Sequence, residues 1–321
     1  MTLAPASKPT RRVIADRMLE AGAANTDFVV FESDIGYSTY SYLFGDAYPA
    51  RYFNMGIAEL GTMAAAAGMA AEGRPVVVCG YGVFLSMRAL EAVRSFVCYP
   101  RLNVKIFSSH GGVTAAIDGV THQATEDIAF MGTLPGMTVL VPCDSASATA
   151  AFDLALGADG PVFVRLMRDP LFEVYPAGTG FRIGGSAMAR KGRHVTIAAY
   201  GDMVIQSLEA AALLETDGVE AEVLDLYSVK PFDEAALRES LSRTGALVVA
   251  ENHQVRNGLG YALASWCMRN GVHVPFAQIG LQDTFAESGS YPLTLEKFGM
   301  DPSSIAAAAR AVIGRKKRSE Q

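Results

Sequence analysis

The chain has 321 residues, of which 50% are hydrophobic, so it can bury a large core, and its length favours two domains over one. It carries 27 Lys and Arg residues against 33 Asp and Glu residues, a formal net charge of −6, and the basic residues form no stripe, which argues against a nucleic-acid partner. Four scattered cysteines without metal-ligand spacing fit a reducing compartment, and no apolar stretch is long enough to span a membrane, so we predict a cytoplasmic protein without membrane contact.

Short apolar strands alternate with helices through the first half of the chain. A helix is predicted first, over 12–20. The predicted strands lie at 28–31, 76–79, 104–107, 138–141 and 162–165. Further helices are predicted over 84–98 and 145–156. This alternation is typical of a parallel sheet that is covered by helices on both faces and binds ligands at the carboxyl ends of its strands.

A break in this pattern divides the chain. Between positions 169 and 192, two prolines and five glycines interrupt any periodicity, which indicates a linker. Alternating strands and helices resume after it and continue toward the C-terminus. We therefore predict an α/β protein with two doubly wound domains, at 1–168 and 193–321, joined by the linker 169–192.

One buried acid is predicted in the first domain. Glu59 is the only charged residue between Met55 and Ala71, in a segment rich in Ala, Gly and Met. If Asn54 caps a helix here, that helix is apolar nearly all round and is buried. A carboxylate in such a place loses hydration unless it shares a proton with a partner, and a ring nitrogen of a bound cofactor would be one. An acid near a helix N-terminus could also merely complement the helix dipole.

Two other segments follow strands at what should be the same edge of the sheet. Tyr81 and Phe84 come just after a predicted strand and could present flat ring faces to a planar ligand, or could simply pack in the core. The loop 110–123 follows the next strand and holds two Gly-rich turns, two histidines and an aspartate. Together with the helix of Glu59, these segments outline a site.

Four segments share their order and spacing with a known family. They are Asn54-Met-Gly-Ile-Ala-Glu59, Ala67-Gly-Met-Ala-Ala-Glu-Gly73, Tyr81-Gly-Val-Phe84 and Asp118-Gly-Val-Thr-His-Gln123. In these motifs the first domain resembles the pyrimidine-binding domain of transketolases and 1-deoxy-xylulose-5-phosphate synthases. The resemblance continues through the second domain, including Asp283-Thr-Phe-Ala-Glu-Ser-Gly289, and covers nearly the whole chain. It implies a pyrimidine-binding domain of the thiamine-diphosphate fold, followed by a transketolase C-terminal domain, and thiamine diphosphate as the cofactor.

The resemblance implies cofactor contacts in the first domain. Glu59 matches the acid that hydrogen-bonds the aminopyrimidine ring and supports the proton transfers that activate the cofactor. Tyr81 and Phe84 match aromatic positions that pack on the pyrimidine ring. Asp34 and Ile57 fall at further positions expected to lie close to the cofactor.

The resemblance also implies catalytic roles for His110, Asp118 and His122, which match positions that line the substrate channel of transketolase. Asp118 and His122 would hydrogen-bond donor hydroxyls near the reacting carbons and assist proton transfer. His110 would lie nearer to the acceptor hydroxyls or the phosphate. As an alternative, the histidines tie down a Gly-rich loop and Asp118 begins an ordinary turn.

Three polar residues match or fall near phosphate-binding positions of the family. Arg165, at the end of the last strand of the first domain, would grip a sugar phosphate through its planar guanidinium fork. Ser38 and Arg12 fall near other phosphate contacts, and Arg11 could substitute for Arg12.

The diphosphate-binding half of the family is not found in this sequence. A complete transketolase carries an N-terminal domain in which Gly-Asp-Gly and a downstream asparagine hold a divalent metal; the nearest string here, Tyr200-Gly-Asp-Met203, lacks that partner. We assign no metal ligand to this chain and expect Mg²⁺ to be held by a partner chain. The resulting hypothesis is the C-terminal subunit of a split transketolase. It would join an N-terminal subunit in a dimer of heterodimers and transfer ketol units between sugar phosphates.

Several alternatives stay open. A 1-deoxy-xylulose-5-phosphate synthase-like enzyme shares the Asp-Gly-x-Thr-His pattern of the loop, whereas the beta subunit of a 2-oxoacid dehydrogenase has similar length but a different histidine loop. A non-catalytic regulatory subunit would keep the fold without the chemistry. In the second domain, Glu251-Asn-His253 lies at a strand end, and we interpret His253 as structural.

Overall fold

The computed structural model describes residues 3–24 and 27–319 of the chain. Within these residues the strands are β1 (Ala4–Pro5), β2 (Val29–Glu32), β3 (Tyr52–Asn54), β4 (Val76–Tyr81), β5 (Val104–Ser109), β6 (Thr138–Leu140), β7 (Val162–Arg165), β8 (Phe172–Glu173), β9 (Ala187–Arg190), β10 (Val195–Ala199), β11 (Ala221–Asp225), β12 (Ser228–Lys230), β13 (Leu247–Gln254) and β14 (Phe276–Leu281). The helices described are α1 (Thr10–Ala23), α2 (Gly36–Thr39), α3 (Tyr42–Ala47), α4 (Glu59–Ala71), α5 (Leu90–Ala92), α6 (Asp127–Thr133), α7 (Ser145–Gly157), α8 (Asp202–Glu215), α9 (Glu234–Thr244), α10 (Leu259–Arg269), α11 (Tyr291–Lys297) and α12 (Pro302–Ser319).

The larger sheet, as far as the structure describes it, has seven strands in the order β12-β6-β7-β5-β4-β2-β3. Its strands are parallel except β12, which runs antiparallel to β6. Strand β4 begins with three valines because it is buried on both faces. Val77 packs in the core that contains α1 and α7, whereas Val76 and Val78 pack in the core that contains α4. Because successive side chains point to opposite faces of a strand, β4 contributes valines to the cores on both faces of the sheet.

The second sheet is built in the same way. In the described part of the chain it has five strands in the order β14-β13-β10-β11-β9, and β9 is antiparallel to its neighbour. Val223 of β11 packs in the core that contains α8 and α12, and the adjacent Leu224 packs in the core that contains α9 and α10. The predicted α/β fold class, with two doubly wound domains, is confirmed.

The segment between the domains is more ordered than we predicted. The predicted linker 169–192 contains β8, which pairs with β1, and β9, which extends the second sheet. In addition, β12 comes from the second half of the chain but joins the larger sheet beside β6. The two halves therefore share secondary structure, and the limits 1–168 and 193–321 stay predictions.

The parallel order places the site segments together. The chain leaves β3 for α4, leaves β4 at Tyr81, and leaves β5 for the loop 110–123, all at the carboxyl edge of the larger sheet.

None of the helices in the described residues combines the length and apolar character needed to cross a membrane.

Candidate active site

Glu59 is the first residue of α4. Ala58 is the N-terminal cap residue, and it makes no side-chain capping bond. The prediction that Asn54 caps this helix is wrong: its Oδ1 accepts a hydrogen bond from the Gly56 amide at 2.9 Å, and its Nδ2 donates to Asp34 Oδ1 at 3.0 Å. Asn54 instead fixes the turn that leads into the helix. The predicted burial of Glu59 is confirmed, since only 4% of the residue is exposed.

Glu59 has a cationic partner within the chain. Arg88 Nη1 lies 3.0 Å from Glu59 Oε2, and the Arg88 guanidinium lies 4.6 Å from the centre of the Phe84 ring. The side chain of Arg88 is 55% exposed, so this pair is open to solvent on one side. Phe84 and Arg88 are four residues apart in one π-helical turn, a spacing that could have indicated their contact.

The aromatic residues form one cluster beside this pair. Tyr81 ends β4, and its ring centre lies 4.3 Å from His110 and 5.6 Å from His122. The ring of Phe84, which is half-buried, lies 5.4 Å from His122 at a steep angle. The structure thus brings together the two predicted aromatic residues and both predicted histidines. Tyr81, Phe84 and His122 are partly exposed, so their rings offer a surface on which a flat heterocycle can pack.

His110 is held neutral by its surroundings. Only 1% of His110 is exposed, and Ser109 Oγ lies 2.7 Å from its Nδ1. Burial lowers the pKa of His110 to about 3, and the positive charges of Arg11 and Arg168 act in the same direction. At neutral pH the ring is therefore an uncharged hydrogen-bonding group. Its Nε2 lies 3.7 Å from Asp118 Oδ2.

Arg165 does not face the site. It is 2% exposed, and its Nε lies 2.9 Å from Asp127 Oδ2. Its Nη2 donates to the carbonyl oxygens of Ala124 and Asn252, at 3.0 and 2.7 Å. The predicted role of Arg165 in binding phosphate is therefore corrected: the side chain is buried between the two domains, and its Nη2 bonds to one carbonyl oxygen of each.

Two other arginines lie at the site instead: Arg168, which sequence reasoning missed, and Arg11, which it gave as the alternative to Arg12. Arg168, three residues beyond Arg165, has its Nε 3.2 Å from Asp118 Oδ2. Arg11 donates from Nε to the Arg168 carbonyl at 2.8 Å and from Nη1 to Ser38 Oγ at 3.1 Å. The predicted Ser38 thus belongs, with Arg11 and Arg168, to a cationic corner of the site.

Arg12, which we predicted in that corner, points elsewhere. Its Nε donates to Asp16 Oδ1 at 2.8 Å, one turn further along α1. Of the two arginines left open for this position, Arg11 is therefore the one that contacts Ser38. The hydroxyl of Tyr81 donates to Ser38 Oγ at 2.8 Å, so the cationic corner and the aromatic cluster are continuous.

The remaining predicted cofactor residues lie at the rim. Ile57 is 75% exposed in the turn before α4, and Asp34 is exposed in the loop after β2. Asp34 adopts a left-handed backbone conformation with φ of 61°. The roles of both residues stay predictions. Within residues 3–24 and 27–319, no three His, Cys, Asp or Glu side chains are grouped so that they could hold a metal ion.

Comparison with known proteins identifies the family of this chain. The family described as "Transketolase, pyrimidine binding domain" matches residues 6–172, and "Transketolase, C-terminal domain" matches residues 184–305. The chain belongs to the transketolase family. The predicted resemblance is therefore confirmed. Relatives that are named as transketolase subunits support ketol transfer of the transketolase type.

Curated relatives of this transketolase-family chain include proteins named as transketolase subunits. It is 39% identical over 306 residues to a 6-deoxy-6-sulfo-D-fructose transketolase subunit of Clostridium sp. (strain MSTE9), covering 95% of each chain. It is 32% identical to an apulose-4-phosphate transketolase subunit of Phocaeicola vulgatus, covering 93% of this chain and 96% of that protein. A solved structure described as a split gene transketolase, inactive beta4 tetramer, matches with a TM-score of 0.87 and 38% identity, over 96% of this chain and 99% of the other.

Proposed function

We propose that this chain is the C-terminal subunit of a two-chain transketolase, which moves a two-carbon ketol unit from a ketose to an aldose through thiamine diphosphate. The observation that carries the proposal is the convergence of a buried carboxylate, Glu59, with the half-buried ring of Phe84 through Arg88. A buried acid beside a ring face fits an aminopyrimidine, which needs a hydrogen-bonding partner for its nitrogen and a flat surface for its ring.

In this proposal each residue of the chain has a defined task toward the cofactor. Glu59 hydrogen-bonds the ring nitrogen and shares a proton with it, while Phe84 and Tyr81 pack on the ring. Asp34 and Ile57 border the same space from the rim. When bound, thiamine diphosphate supplies the nucleophilic carbon and electron sink that ketol transfer requires.

The catalytic loop, defined as residues 110–123, acts on the sugar. Asp118 and His122 hydrogen-bond the hydroxyls next to the reacting carbons and hold or move a proton there. His110 is neutral, so it serves as a hydrogen-bonding group rather than as a cation. The contact between Asp118 and Arg168 keeps a positive charge close to these groups.

The cationic corner would receive an anionic group at the far end of the sugar. Arg11, Arg168 and Ser38 offer guanidinium and hydroxyl donors, which suit a phosphate or a sulfonate. The relative named for 6-deoxy-6-sulfo-D-fructose and the relative named for apulose-4-phosphate support either anion.

A partner chain would complete the site. Large apolar side chains are exposed in and beside the segments that form the site, which favours a protein contact there. They are Tyr37, Ile57, Leu60, Met87 and Ile117. We infer that a diphosphate-binding subunit, which also holds Mg²⁺, covers this surface, and that two such pairs form a dimer of heterodimers in the cytoplasm. The relative described as an inactive tetramer supports dependence on a partner.

Reconstitution tests the proposal. The purified chain is mixed with a diphosphate-binding transketolase subunit, thiamine diphosphate and Mg²⁺, and ketol transfer is measured with a ketose phosphate as donor. We expect transfer by the pair and none by this chain alone. Turnover by the chain alone would refute the split arrangement, condensation of pyruvate with an aldehyde phosphate would indicate the synthase instead, and assembly without any turnover would favour a regulatory subunit.

A further inference from the structure

The second domain contacts the catalytic loop directly, through residues to which the proposed function assigns no role. We propose that Ser288, with Asn252, positions the catalytic loop, so that the second domain sets the geometry of Asp118 and His122. This inference rests on the proposed function, because it names the groups that orient the loop in that same site.

The loop needs external support because its backbone is strained. His110 and Ala116 both have positive φ, 64° and 51°, and neither is a glycine. Ala116 also has a ψ of −109°, which interrupts the short 3₁₀ segment from Val113 to Asp118. Such conformations persist only where the surrounding structure holds them.

The segment 283–289, which follows β14, supplies part of this support. Ser288 Oγ donates a hydrogen bond to the Ile117 carbonyl at 2.6 Å, directly before Asp118. Gln123 Nε2, directly after His122, donates to the Glu287 carbonyl at 3.0 Å. The two catalytic side chains are therefore bracketed by two bonds to one segment of the second domain.

Asn252, at the end of β13, holds the beginning of the loop. Its Oδ1 accepts from the Val113 amide at 2.8 Å, and its Nδ2 donates to Asp202 Oδ2 at 2.6 Å. A Cβ atom at Gly112 would overlap Asn252 Oδ1, so the approach requires glycine. The buried Arg165 reinforces this arrangement because it donates to the Asn252 carbonyl.

The arrangement separates two properties of the site. Ser288 contacts the loop that would act on the sugar, whereas Glu59 and Phe84, the proposed cofactor residues, lie on α4 and on the turn after β4. A change at Ser288 should therefore affect turnover without affecting cofactor binding. A residue that merely stabilised the fold would not produce this separation.

The experiment compares Ser288→Ala with Ser288→Thr and with the control Ser242→Ala in the complex with the diphosphate-binding subunit. Ser242 is exposed on α9, and its Oγ also donates to a main-chain carbonyl, that of Glu239. We expect Ser288→Ala to lower kcat about three- to tenfold, with an unchanged half-saturating concentration of thiamine diphosphate. Ser288→Thr, which keeps the hydroxyl, should restore kcat, and Ser242→Ala should leave it unchanged.

Hydrogen exchange of the chain alone gives a second readout that does not need turnover. The amides of 110–123 should exchange at least about threefold faster in Ser288→Ala than in wild type or Ser242→Ala. If wild type shows no transfer, the proposed function fails, while this exchange result still decides whether Ser288 holds the loop. Equal exchange in Ser288→Ala and Ser242→Ala, or a loss of cofactor affinity parallel to the loss of kcat, would overturn the positioning role.

Discussion

Arg168 Nε lies 3.2 Å from Asp118 Oδ2, so the arginine just beyond β7 reaches the catalytic loop. Arg165, the last residue of β7, is buried against Asp127 instead. Arg168 therefore lies at the site, whereas Arg165, three residues earlier, lies at the interface between the domains. Of the two, Arg168 is the more accessible, with 24% of its side chain exposed.

Replacing Arg168 should weaken the binding of anionic sugars selectively. We expect Arg168→Gln to raise the KM for a phosphorylated acceptor about 10- to 100-fold, because charge-assisted hydrogen bonds to the anion are lost. The KM for a neutral aldose should change much less. Steady-state kinetics of the reconstituted complex measure both values, with Arg310→Gln on α12 as the control. An equal rise for the neutral aldose would show that Arg168 does not bind the anion.

Replacing Glu59 should stop ketol transfer without preventing assembly. Glutamine keeps the shape of the side chain but cannot share a proton with a ring nitrogen, so we expect Glu59→Gln to lower kcat at least about 100-fold. Glu72, the exposed C-terminal cap residue of the same helix, gives the matched control Glu72→Gln. Kinetics measure transfer, and size-exclusion chromatography checks that the complex forms. Nearly full activity in Glu59→Gln would instead support the interpretation of this acid as a partner of the helix dipole.

The sequence was sufficient for the layers of the fold because short apolar strands alternate with helices, but it could not tell which polar neighbour faces the site. Arg11 and Arg12 are adjacent on α1, and consecutive helical side chains point about 100° apart, so only packing decides that Arg11 meets Ser38. Asn54 carries a capping residue type, yet the turn through Gly56 moves the helix start to Glu59. The hydrogen bond from Ser288 to Ile117 joins residues 171 positions apart, and no local pattern encodes such a contact.

The close approach of Asn252 to the loop predicts the cost of a side chain at Gly112. Gly112 has a φ of 59°, and an added Cβ would overlap Asn252, so we expect Gly112→Ala to lower the free energy of unfolding by about 3 kcal/mol. Gly314 lies in α12, where an added Cβ meets no atom of the described residues within 4 Å, and Gly314→Ala should raise stability by up to about 1 kcal/mol. Urea unfolding of both variants measures the difference. Similar midpoints for the two variants would contradict the packing described here.

Burial of Asp225 makes the stability of the second domain depend on pH. Burial raises the pKa of Asp225 to about 8, although Tyr175 Oη donates to its Oδ2 at 2.9 Å and Cys143 Sγ lies 3.5 Å from the same atom. The folded pKa is above the unfolded value, so folding takes up a proton, and the stabilising contribution grows as pH falls from about 8 toward the unfolded value of about 4. At about 1.4 kcal/mol per pH unit, wild type should gain about 2 kcal/mol relative to Asp225→Asn between about pH 8 and about pH 6.

Urea unfolding of wild type and Asp225→Asn at these two pH values checks this difference, with the exposed Asp217→Asn as control. The asparagine cannot titrate, so its stability lacks the pH-dependent contribution. Asp217→Asn should differ from wild type by the same amount at both pH values. If Asp225→Asn also tracks wild type at both values, the carboxyl does not take up a proton on folding. The bonds from Tyr175 and Cys143 would then hold it as a buried carboxylate.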